Sequence, residues 1–77
     1  MMPSPVTIER VLQAGGGMTL PASKVPTEAL ARYANLAREG KARLTIDIRG
    51  SDISPSVMID IARAGGGAVS FEGLFDA

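Results

Sequence analysis

Between Arg43 and Arg49, the apolar residues Leu44, Ile46 and Ile48 alternate with Arg43, Thr45, Asp47 and Arg49. A period of two predicts a strand with one buried and one polar face. Val69 and Phe71 alternate with Ala68, Ser70 and Glu72 in the same way. Elsewhere the period changes. Ile8/Val11/Leu12, Tyr33/Leu36/Ala37 and Met58/Ile61/Ala62 fall at i, i+3 and i+4, which is one face of a helix. Ser4-Pro5 and Ser54-Pro55 each supply an N-cap serine followed by proline at the first helical position. Pro26-Thr27-Glu28 opens the middle helix a turn earlier, with Glu28 near the positive end of its dipole. Gly15, Gly40 and Gly65 stand where left-handed helix caps are expected.

These elements recur at a fixed distance. Ala-Gly-Gly-Gly occurs at Ala14 to Gly17 and again at Ala64 to Gly67, 50 residues on, and halving that distance aligns Gly40 with both. The chain then reads as three helix-turn-strand copies of 25 residues, at about 1–25, 26–50 and 51–75. In this register Thr19 and Pro21 take the inward strand positions of the first copy, and Met18 and Leu20 fall outside them. Strands joined by helical crossovers are expected to be parallel, with right-handed connections. The expected fold is α/β, a short solenoid-like three-stranded parallel sheet with its helices on one face. Strand order 1-2-3 is expected, although 2-1-3 satisfies the same pattern.

Composition narrows the chemistry. The chain has 77 residues, enough for one small domain, and contains no Cys, His or Trp. Disulfides, Cys/His zinc sites and Cys- or Ser–His-type nucleophiles are therefore excluded. No apolar run approaches the length of a membrane span, and the first residues carry no secretory-signal pattern. A soluble, cytoplasmic protein without catalytic residues, metal or cofactor is the expectation. Eight basic residues balance eight acidic ones, which argues against general nucleic-acid binding. The balance is uneven, however. Residues 1–25 carry Arg10 and Lys24 against Glu9, and residues 26–50 carry five bases against three acids, whereas residues 51–77 carry Arg63 against four acids. Such polarity favours head-to-tail contact between copies.

Two places invite a ligand. The glycine runs follow helices and lead into strands, the wrong end of the helix dipole for a phosphate cradle. The Arg49–Ser54 turn has the better polarity, because it runs into a helix N-terminus. Arg49, Ser51 and Ser54 could hold an anion there, in competition with Asp52. Asp47 and Glu72 occupy equivalent strand positions and should lie side by side, with Arg43 and Arg49 on the same polar face.

A parallel sheet normally has both faces covered, yet one face here reads as polar throughout. The leading expectation is a non-enzymatic protein-interaction module that uses this open face or a sheet edge, with self-association as one mode. Arg43, Thr45, Asp47, Ser70 and Glu72 are its expected contacts, with Met18, Leu20, Leu74 and Phe75 at the two ends. An inhibitor of phage or mobile-element origin, blocking a host protein or nucleoprotein complex, is the alternative within that class. An anion- or small-ligand-binding protein using the Arg49–Ser54 turn is the alternative outside it.

Overall fold

The structure, a computed structural model, describes residues 4–74. Helix α1 (Pro5–Gln13) leads to strand β1 (Met18–Pro21), α2 (Thr27–Gly40) to β2 (Leu44–Asp47), and α3 (Pro55–Gly65) to β3 (Val69–Glu72). The three strands form one parallel sheet in the order β1-β2-β3. With right-handed crossovers, that order places all three helices on the same face, where α2 packs between α1 and α3. Between the layers lies one apolar core, whose largest fully buried side chains are Leu12, Leu30, Leu44, Ile46 and Ile61.

The helices start where the serines place them. Ser4 and Ser54 accept hydrogen bonds from the backbone N–H groups of Thr7 and Val57, each at 3.3 Å, and Pro5 and Pro55 occupy the first turn. The ends differ from the sequence expectation. Gly40 and Gly65 are the last helical residues of α2 and α3, and the left-handed caps are Lys41 (φ 57°) and Gly66 (φ 54°). Gly40 is needed for a different reason. A Cβ there would fall on the Leu12 carbonyl oxygen and lie 2.9 Å from that of Gln13, so hydrogen alone lets the end of α1 rest on α2.

The strand register corrects one further expectation. Val69 and Phe71 sit opposite Leu44 and Ile46, at the 25-residue spacing, but Met18 and Leu20 also sit opposite Leu44 and Ile46, one residue early. Leu20 is therefore a core residue, 3% exposed, and Met18 packs half-buried against that core. Neither forms an end patch. Two forces favour this slip. It turns Met18 and Leu20 inward in place of Thr19 and Pro21, which buries the larger apolar surface. It also sets Pro21 where no donor is required. Met18 and Ala22 donate to the Arg43 and Asp47 carbonyls of β2, so alternation turns Thr19 and Pro21 toward the open edge. Val11, expected in the core, is 37% exposed, and among the described residues no helix lies beyond α1 to cover it.

Candidate functional site

The face of the sheet away from the helices carries Thr19, Thr45 and Ser70 in one row and Pro21, Asp47 and Glu72 in the next. No element among the described residues lies over it. Thr45 and Ser70 are side by side, and their hydroxyl oxygens form a hydrogen bond of 3.0 Å. In the next row Asp47 lies beside Glu72. Like charges on adjacent strands repel, and Arg49 relieves this by folding back over the row. Its guanidinium donates to both Asp47 carboxylate oxygens, at 2.9 and 3.0 Å, and lies 3.7 Å from Glu72. The Arg49 backbone N–H donates to Asp47 as well, at 3.0 Å. Arg43 is exposed at the start of the same face.

The Arg49 contacts hold the Asp47 carboxyl below its ordinary value of 3.8, chiefly through the side-chain hydrogen bonds and then the backbone one, against a smaller desolvation effect. A carboxyl with a depressed folded value stabilises the fold above its unfolded value, and that contribution is lost as pH falls through the folded one. Asp47→Asn should accordingly lower the thermal midpoint near neutral pH. The gap to the parent protein should begin to close below pH 3.8 and vanish in stronger acid. Paired melting curves across that range check the prediction, and a gap that widened in acid would contradict it. The effect should be small, because the Arg49 side chain is more than half exposed and water screens the pair.

The Arg49–Ser54 turn is internally engaged. Ser51 N–H donates to the Ile48 carbonyl, Ser51 Oγ accepts from Ile53 N–H, and Ser54 Oγ caps α3 while contacting Ser56 Oγ at 3.2 Å. Arg49 is directed to the sheet acids. Its guanidinium and the two serine hydroxyls are thus committed to different local contacts. A shallow recess beside the turn is lined by Ala22, Val25, Thr27, Leu30, Ser51, Asp52 and Ile53, and its only charged group is an acid. Among the described residues, no three Asp or Glu side chains gather as they would around a metal ion. No helix there is long and apolar enough to cross a membrane.

A second surface was not legible as a site. At the free side of α3 and β3, Pro55, Met58, Ile59, Ala62, Phe71 and Leu74 line an open groove of about 400 Å³ without a charged residue. Ile59 and Leu74 are 52% and 53% exposed. The sequence signal was Ile59 itself, an apolar residue off the inward face of α3. Of the expected end residues, Leu74 joins this groove, and Phe75 lies outside the described residues. No family model, no curated protein and no solved structure matches the chain.

Proposed function

We propose that this chain is a non-catalytic protein-interaction module that recognises a partner protein through the uncovered face of its sheet. The observation that carries the reading is a parallel sheet with helices on one side and a polar, uncovered surface on the other. Parallel sheets seldom leave a face bare. This one carries groups already fixed for recognition: the Thr45–Ser70 hydroxyl pair, and Arg49 clamped over Asp47 with Glu72 beside it. Arg43 adds an exposed positive charge at the start of the same face. Groups held by one another lose little further freedom on binding. We also infer that the three helix-strand units are quasi-repeats. The 25-residue offset between β2 and β3 supports this, and the first unit departs from it by one residue.

The test is the double charge reversal Arg43→Glu with Asp47→Arg. Both side chains lie on the solvent side of the sheet, so circular dichroism should remain that of the parent. Capture of the partner should be lost with this variant and retained with Val6→Lys, a control on exposed α1. Equal capture by the reversed protein would overturn the sheet-face assignment.

A further inference from the structure

The two edges of the sheet are not equivalent. On β1, Pro21 turns a position without an N–H to the open side, which breaks the row of donors an incoming strand would need. On β3 the edge is intact. Leu44 and Ile48 donate to the Ala68 and Glu72 carbonyls, so Ala68, Ser70 and Glu72 face β2. Val69 and Phe71 consequently turn both N–H and C=O to the open side. The uncharged groove of Pro55, Met58, Ile59, Ala62, Phe71 and Leu74 runs beside that same edge. A strand edge whose outward hydrogen-bonding groups meet no partner among the described residues, with an apolar helix face next to it, forms one continuous surface.

We propose that this surface is occupied by a second copy of the chain, related by a two-fold axis that pairs β3 with β3 antiparallel and α3 with α3. Two observations select this occupant. Head-to-tail stacking would have to pair β3 with β1, and Pro21 denies that ladder a donor. An isologous pair uses the intact edge twice and closes on itself. Charge at the ladder itself does not oppose the pair, although the four acids against Arg63 in residues 51–77 work against joining two like ends. Val69, Ser70 and Phe71, which would lie at the centre of the new ladder, are uncharged. A register that sets Ser70 opposite Ser70 keeps the two Glu72 carboxylates about 13 Å apart along the strands, beyond a Debye length at physiological salt. Area is sufficient but modest. Even the smallest side of the molecule's 34 × 28 × 19 Å envelope spans roughly 500 Å². A pair then buries about 1,000 Å², the lower limit for a specific interface, so the dimer should be reversible and weak.

This dimer uses a surface separate from the recognition face proposed above, and the charge reversal there should leave it intact. The experiment is sedimentation velocity over about a hundredfold concentration range on the parent chain, Ile59→Lys and Val11→Lys. Ile59 and Val11 are both partly exposed, so neither lysine is forced into the core. The expected result is a monomer–dimer equilibrium that saturates at two copies. Ile59→Lys should weaken it by more than about tenfold, since the lysine is desolvated at the contact, and Val11→Lys should leave it unchanged. Hydrogen exchange at the Val69 and Phe71 amides should slow as concentration rises. A monomer at every concentration would overturn the proposal, as would a dimer indifferent to Ile59→Lys. Species that grow beyond two copies and respond to Val11→Lys would instead assign end-to-end stacking.

Discussion

Ile46→Ala is expected to be the most damaging single truncation in this protein. Ile46 is the middle of the central strand, fully buried, with Leu20 and Phe71 paired to it on either side. Removing a buried Ile or Leu side chain costs about 2–5 kcal/mol, through lost transfer energy and the cavity left behind. The upper part of that range applies here, because strands on both sides and helices above limit collapse into the void. A chain of 77 residues has roughly 4–12 kcal/mol of total stability. The variant should therefore lose between about a third of its stability and all of it. Urea unfolding followed by circular dichroism reads this as a lower midpoint with an unchanged slope. A loss under about 1 kcal/mol would show that the site collapses easily, against the packing described here.

Gly40→Ala is the second large effect, and two opposing contributions decide its sign. In a helix interior, alanine is better than glycine by up to about 1 kcal/mol. Against this stands the backbone of α1, whose Leu12 carbonyl oxygen occupies the space and whose Gln13 carbonyl carbon lies 3.0 Å away. Carbonyl groups at a helix end cannot rotate aside as a flexible side chain can. Overpacking of this kind costs about 1–3 kcal/mol and sometimes more. The clash should win, with a net loss of about 2 kcal/mol and α1 displaced from α2. Thermal unfolding gives the magnitude. A raised melting temperature would mean that α1 rides on α2 more loosely than its burial of Ile8 and Leu12 indicates. Gly66→Ala tests a different constraint, the left-handed φ of 54°, and serves as a comparison rather than a duplicate.

What could be read from the sequence divides along physical lines. The starts of α1 and α3 were legible because a Ser-Pro pair acts within one turn, on its own backbone. Strands β2 and β3 were legible because each alternates cleanly and one face is apolar. Strand β1 was not. Met18-Thr19-Leu20-Pro21 can be assigned to either face by a shift of one residue, and measuring from the glycines chose the wrong one. Register follows side-chain burial and donor placement, and turn spacing does not encode either. The Asp47–Glu72 neighbourhood was legible from their equivalent positions. Arg49 was legible only as a base on the same polar face as these acids, because a bidentate contact between residues two apart depends on how the chain turns after β2. The α3 groove required three dimensions. Its residues come from positions 55 to 74, and they line one surface only once β3 lies beside the free side of α3.

The burial of Tyr33 has an experimental use. It is the only tyrosine in a chain without tryptophan, it is 3% exposed, and the Arg32 guanidinium lies over its ring at 5.5 Å. Arg32 in turn bridges to Glu9 of α1 at 3.1 Å. With only two phenylalanines besides, near-ultraviolet optical signals are dominated by one chromophore at the α1–α2 seam. Far-ultraviolet signals weigh all three helices together. The molecule thus carries a built-in local reporter beside a global one. Should α3 loosen before the rest, the two optical transitions would separate without any label being introduced.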